Sequence, residues 1–397
     1  LGFGLIEGVI LITLFLFNDF KIKSLTAALL LVSLFLFVGC DNQSENGDIY
    51  PTHRWSGETM GTVYRITIVD DKLESTDLEK HIELAKQKVS AQLDAIIMSM
   101  STYEAESEIS AFNRLASNQC LVVSQDFINV LKLSVKIHSA SSGAFNPLVG
   151  PLVERWGFGH SNAAFVYPEP EEVARLLALT DISKLYVNTN SNSLCKAADI
   201  EVDFSAIAKG YAVDRAAAEL SGLSINNYLV DIGGEVIVKG HNPQGNAWRL
   251  AIEKPAFRPG EIEQVVNLHD VAIATSGDYR NFFEYEGNRY SHTIDVRNGY
   301  PVQHNVASVS VIADTAAVAD AWATALNVMA PKQIKQLAKE QNLAVFIITR
   351  ETLKPSDDIQ AETEVGAEVA TEVKEKVETE TKIETWHSEP FQSFISE

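Results

Sequence analysis

Apolar residues recur along this chain with two rhythms. Leu78, Ile82, Ala85, Val89, Leu93 and Ile96 fall every three or four positions, so Asp77 to Met100 is expected to form a long amphipathic helix. Ser124 is placed to cap a second helix running to about Ser139. Pro170, followed by Glu171 and Glu172, opens a third, because proline and acidic residues suit a first helical turn. Ser205 to Leu220 reads as a fourth, ending before Gly222. Asp314 is expected to cap a helix to about Met329, and Pro331 to start the next. Strand-like runs occupy Thr62–Val69, Asn227–Gly240, Trp248–Glu253, Val271–Thr275, Arg289–Val296, Val306–Ile312 and Leu343–Thr349. Blocks of strands beside blocks of helices predict an α+β fold, with one domain of mixed helices and antiparallel-rich sheets over residues 57–350.

The two ends differ from this body. Residues 21–40 carry Lys21 and Lys23, an apolar stretch from Ser24 to Val38, and then Gly39-Cys40. That is a signal-peptide pattern ending in a bacterial lipobox, so Cys40 is the expected lipidation site and residues 1–40 the leader and anchor. A second apolar run, Val9 to Phe17, precedes it, and no methionine occurs before Met60. Residues 1–20 therefore read as an upstream extension, or else as half of a two-helix membrane anchor. Asp41 after the lipidated cysteine points to retention in the inner membrane, with the body in the periplasm. Residues 41–56 are polar and read as a tether. Residues 351–397 hold thirteen Asp/Glu against four Lys/Arg and are expected to form an acidic, disordered tail, or else a solvated helix.

The formal charge of −21 argues against a nucleic-acid partner, which needs clustered basic residues. Cys120 and Cys195 either pair in an oxidising compartment or remain as two buried thiols.

Several residues have the chemistry of a phosphate-handling site. Asp320 and Thr324 lie four apart and share one helix face, where a carboxylate and a hydroxyl can grip one Mg²⁺. Lys209 lies one turn into the helix opened by Ser205, within reach of a pyrophosphate oxygen. Tyr103 offers an aromatic face for a flavin or adenine ring. His292, in the polar cluster Tyr290-Ser291-His292-Thr293, is the best acid/base candidate, or else a structural histidine bonded to a neighbouring strand. Gly233-Gly234 suits a tight kink beside a ligand, or an ordinary bulge.

Taken together, ETMGT (58–62), STYEAESEISAFN (101–113), GAFNPLVGPLVERWGFG (143–159), VDFSAIAKGYAVD (202–214), YLVDIGGE (228–235), SGDYRNFFEYEGNRYSHTIDVRNGYP (276–301) and ADAWATAL (319–326) closely resemble the ApbE family. These are FAD:protein FMN transferases, Mg²⁺-dependent enzymes of the bacterial periplasm. The resemblance implies FAD contacts at Met60, Tyr103, Ala144, Phe145, Asn146, Asp203, Lys209 and Ile294. It implies a metal held by Asp320, Thr324 and the main-chain carbonyl of Ala206, and a cleft shaped in part by Asp278, Tyr279 and Arg280. The implied acceptors are membrane redox complexes such as the Na⁺-translocating NADH:quinone reductase and Rnf. Two other functions fit the same residues: an FAD pyrophosphatase and a non-catalytic flavin-holding lipoprotein.

Overall fold

The structure is a computed structural model that describes residues 50–396, apart from 71–74, 160–164, 189, 256–259, 278–281, 286–287 and 352–381. The leader, Cys40 and Asp278 to Arg280 lie outside the described residues.

Eight strands form one sheet, here labelled β1 (Thr52–Thr59), β2 (Thr62–Val69), β3 (Tyr228–Ile232), β4 (Glu235–Lys239), β5 (Ala272–Gly277), β6 (Val306–Ala313), β7 (Ala344–Glu351) and β8 (Lys382–His387). Every neighbouring pair is antiparallel, and the spatial order is the chain order. Three helices line one face: α1 (Ser75–Met100), α2 (Ala208–Gly222) and α3 (Ala316–Asn327). Their apolar stripes bury against Ile66, Ile68, Val230, Val309 and Val311 of the sheet. Of α3, all but Val318 and Thr324 is buried, and six of its twelve residues are alanine. Small side chains let this helix lie close to both the sheet and α2. The opposite sheet face is covered by a hairpin of Trp248–Glu253 and Ile262–Leu268 and by the C-terminal residues. Strand β7 shows the division at period two. Val345 and Ile347 enter the helical side, whereas Ala344, Phe346 and Ile348 enter the other.

Several expected boundaries change. β1 begins at Thr52, inside the segment read as a tether, and pairs with β2 along its whole length. The turn joining them is Met60-Gly61, both at positive φ (48° and 70°). Methionine at such a position gives no turn signal in sequence, so the hairpin was hidden. The run Asn227–Gly240 is two strands, broken by Gly233-Gly234 at φ 67° and 105°. Helix α2 starts at Ala208 rather than Ser205, because the Ser205 N–H donates to Asp203 Oδ1 (2.7 Å) in a local turn. Thr315, not Asp314, caps α3, accepting from the Val318 N–H at 3.3 Å.

The expectation for residues 351–397 is corrected over 382–396. β8 pairs with β7 from Glu351↔Lys382 to Phe346↔His387. Ser388 Oγ donates to the Leu343 carbonyl (2.7 Å) and accepts the Val345 N–H (2.9 Å). Phe391 is fully buried, 5.4 Å from the Phe346 ring. Averaging the charge over the whole tail obscured its end, where Trp386, Phe391, Phe394 and Ile395 supply apolar surface to bury.

Cys120 and Cys195 face each other in a small sheet of Gln119–Val122, Ser193–Lys196 and Leu185–Asn188, and form a disulfide. Trp156 centres a separate apolar cluster with Tyr290, Ile294 and Val296, and its Nε1 donates to the Gly299 carbonyl (2.8 Å). That cluster fixes the chain around His292.

Truncating Phe391 to alanine should cost about 3–5 kcal/mol, as for other buried aromatic side chains. Thermal denaturation would read this as a clear fall in melting temperature. An unchanged melting temperature would mean that the C-terminal segment is not part of the core.

Candidate active site

Between the helices, the sheet and the Trp156 cluster lies a cleft of about 1490 Å³. This exceeds the usual roughly 300–1,000 Å³ of small-ligand pockets and suits an elongated ligand. Tyr103, Ala144, Phe145, Asn146, Asp203 and Ala206 line it, as do Lys209, His292, Ile294, Asp320 and Thr324. Met60 does not lie on the cleft wall. It sits in the β1–β2 turn and packs against the main core.

The floor of the cleft is a buried charged cluster built by three elements. Lys209 comes from the first turn of α2, Asp320 from the middle of α3, and Glu235 from the first residue of β4. The Lys209 ammonium forms an ion pair with Glu235 Oε1. Asp320 Oδ2 accepts the Gly210 N–H at 3.0 Å. Burial pushes the Asp320 carboxyl above the usual carboxylate range, and Lys209 and the Gly210 N–H only partly oppose this. Glu235 is pushed up to about 7, first by burial and then by the charge of Asp320, against the pull of Lys209. Burial works to lower Lys209, but Asp320 and Glu235 together hold it above its ordinary value.

Close packing places these groups. A Cβ added at Gly210 would lie 2.3 Å from the Ala316 carbonyl oxygen and 2.8 Å from Asp320 Cβ. Only glycine lets α2 approach α3 closely enough for the Gly210–Asp320 bond. One turn further along α2, Asp214 accepts the Ala316 N–H (2.7 Å) and the Ala317 N–H (2.9 Å). It thereby satisfies free N–H groups at the start of α3 from a neighbouring helix. Burial raises Asp214 to about 6 despite those two bonds.

The remaining residues form the walls. Tyr103, on the cleft wall, is 72% exposed. The Asn146 amide is engaged within the protein, donating to the Thr180 carbonyl and accepting the Leu148 N–H, each at 2.9 Å. It shapes the wall rather than offering a free amide. His292 is half-buried, edge-on to Phe158 at 6.3 Å. Thr324 Oγ1 lies 3.2 Å from Ser276 Oγ at the end of β5.

The cluster also bears on whether a metal fits. When both acids are ionised, two buried carboxylates face one ammonium and the floor lacks one positive charge. Among the described residues no group of three or more His, Cys, Asp or Glu side chains forms a metal cage. A hard cation here must therefore take hydroxyl and carbonyl oxygens beside one carboxylate, as Thr324, Ala206 and Asp320 offer. The residues fit that role.

Sequence reasoning missed Glu235, Asp214 and Ser276. Glu235 had one legible sign, an acid directly after Gly233-Gly234 at the head of the apolar strand EVIVK. Asp214 had another, falling one turn after Gly210 on the same helix face.

An α+β fold whose cleft closes over a buried acid–lysine–acid cluster defines the class. The chain belongs to the ApbE family, whose model matches residues 60–347. It is 40% identical over 301 residues to an FAD:protein FMN transferase of Haemophilus influenzae, covering 74% of this chain and 86% of that protein. It is 36% identical over 333 residues to the FAD:protein FMN transferase of Escherichia coli K12, covering 83% and 93%. Among solved structures it superposes on the flavin transferase ApbE of Vibrio cholerae with a TM-score of 0.72 at 32% identity, over 87% of this chain and 99% of that one. The apo form of the Pseudomonas stutzeri flavinyl transferase ApbE gives 0.72 at 30% identity, over 87% and 96%.

Two outcomes follow for the free protein. Gly210→Ala should destabilise it by about 1–3 kcal/mol, because the clash is with backbone and cannot relax cheaply, and chemical denaturation measures this. Glu235 titrates near 7 when folded against 4.5 unfolded, so its protonated form favours folding. Its contribution to stability is greatest below about pH 4.5 and is lost as pH rises through 7. Glu235→Gln should flatten that part of the stability–pH curve, measured without metal or flavin. An unaltered slope would place the titration elsewhere.

Proposed function

We propose that this protein is an FAD:protein FMN transferase. It moves the FMN half of FAD onto a serine or threonine hydroxyl of an acceptor protein and releases AMP. The observation that carries the reading is the Lys209–Glu235–Asp320 cluster on the floor of a cleft roomy enough for a dinucleotide. Membership of the ApbE family and the names of its relatives support it.

The roles follow from position. Lys209, steadied by Glu235, meets the diphosphate and stabilises charge that builds there in the transition state. Tyr103 gives the aromatic wall for a ring of FAD, and Asp203 and Ile294 border the same space. His292, at the cleft wall, takes the proton from the acceptor hydroxyl. The acceptor oxygen forms a bond to the phosphorus bearing riboflavin. The bond from that phosphorus to the bridging oxygen breaks, and AMP leaves with the bond's electron pair. A Mg²⁺ held by Asp320, Thr324 Oγ1 and the Ala206 carbonyl would offset the charge of the diphosphate.

The same reading puts the protein at the periplasmic face of the inner membrane, held by a lipid on Cys40. The Cys120–Cys195 disulfide supports an oxidising compartment. Tethering there raises its effective concentration near membrane redox complexes such as the Na⁺-translocating NADH:quinone reductase or Rnf.

The test is incubation with FAD, Mg²⁺ and an acceptor carrying the flavinylation motif, followed by mass spectrometry of the acceptor. An added FMN on its serine or threonine is expected. Free FMN and AMP without acceptor would make the protein a pyrophosphatase, and bound FAD with no AMP would make it a carrier. Asp320→Ala should abolish transfer while the fold persists. His292→Ala should lower kcat by roughly 10²–10⁴-fold with FAD affinity little changed. A loss confined to FAD affinity would make His292 a binding residue.

A further inference from the structure

Glu235 has one oxygen that the protein itself leaves without a partner. Its Oε1 pairs with Lys209, whereas Oε2 is buried and makes no hydrogen bond among the described residues. Buried polar atoms are almost always satisfied, so an orphan in a ligand cleft calls for an occupant. With Glu235 ionised, as its pairing with the Lys209 ammonium favours, this oxygen accepts only, which restricts that occupant to a donor or a cation.

A glycine pair, with no side chains of its own, precedes Glu235. A Cβ at Gly233 (φ 67°) would come within 3.0 Å of the Thr62 methyl and 3.5 Å of Glu235 Oε2. A Cβ at Gly234 would meet nothing within 4 Å. Thr62, Gly233, Gly234 and Glu235 all line the cleft. The glycine pair therefore joins β3 to β4, and at Gly233 it keeps a further side chain from packing against Thr62 and Oε2.

We propose that Glu235 is a binding residue for FAD, its Oε2 accepting a hydrogen bond from a hydroxyl of the dinucleotide's sugar chain. This rests on FAD being the substrate. With Lys209 on the diphosphate, a group touching Lys209 lies beside the atoms attached directly to that diphosphate. In FAD these are the ribityl chain on one side and the adenosine ribose on the other, both bearing hydroxyls. Oε1 keeps the ammonium in place while Oε2 reads the adjacent hydroxyl.

Titration calorimetry with FMN, ADP and inorganic pyrophosphate, each with Mg²⁺, tests this on the wild-type protein and on Glu235→Met. Methionine keeps the length of the side chain and removes both acceptors. Roughly 10-fold or greater weakening is expected for one sugar-bearing ligand, with pyrophosphate changed by less than about 2-fold. Loss on FMN would identify the ribityl chain, and loss on ADP the ribose. Equal loss on all three would mean that Glu235 acts only through Lys209 and would overturn the proposal. Unchanged affinity for both FMN and ADP would overturn it too, as would a change seen only in the Mg²⁺ requirement. If Glu235→Met does not fold, Glu235→Gln is read on the same three ligands, with a smaller loss of the same selectivity expected. A wild-type protein that binds neither FMN nor ADP would defeat the flavin reading, and this inference with it.

Discussion

A half-buried lysine set against two buried carboxylates is the constraint from which the rest of the site follows. Each ion alone would carry a large desolvation cost, and removing one partner would leave another uncompensated. The cluster is stable only as a unit, so α2, α3 and β4 must arrive in one register. Burial raises both Glu235 and Asp320, and Lys209 only partly opposes it. A site poised in this way gains from a ligand that brings further positive charge and hydrogen-bond donors, which a metal-bound dinucleotide with its sugar hydroxyls does.

The scaffold enforces that register by close approach rather than by long side chains. Gly210 lets α2 rest on the backbone of α3, and its N–H binds Asp320 directly. Asp214 ties the first turn of α3 to the same helix, so Asp320, one turn further along, is set by backbone geometry. The alanines of α3 serve the same end, since bulkier residues would hold the helix away from the sheet. Catalytic groups carried on rigid, tightly packed helices stay near productive geometry without the entropy loss of ordering a loop.

What could be read in the sequence was what depends on near neighbours. The helices at 75–100 and 125–140 followed from their apolar spacing and from the cap at Ser124, which does accept the Phe127 N–H. Asp320 and Thr324 stood out because a helix puts positions four apart on one face. Glu235 did not, because its place depends on the pairing of Ile232 with Glu235 across a turn and on a helix that begins 27 residues earlier, at Ala208. Likewise β8 was hidden, since its partner strand is separated from it by a long acidic segment, and composition averages such a strand away. The resemblance supplied wall residues that spacing could not; of the eleven it points to among the described residues, ten line the cleft and Met60 does not.

The division between floor and walls has a consequence for specificity. The floor is charged, buried and fixed by backbone contacts, which suits recognition of a diphosphate common to many nucleotides. The walls carry the surfaces that could discriminate: the exposed Tyr103, the turn at Ala144–Asn146 and the aromatic cluster behind His292. A hydrogen-bonding group at the junction, facing the sugar next to the diphosphate, adds selectivity that charge alone cannot give, because an unpaired buried acceptor penalises any ligand lacking the matching hydroxyl. On the proposed reading Glu235 stands at that junction, one oxygen bonded to Lys209 and the other buried with no hydrogen bond among the described residues.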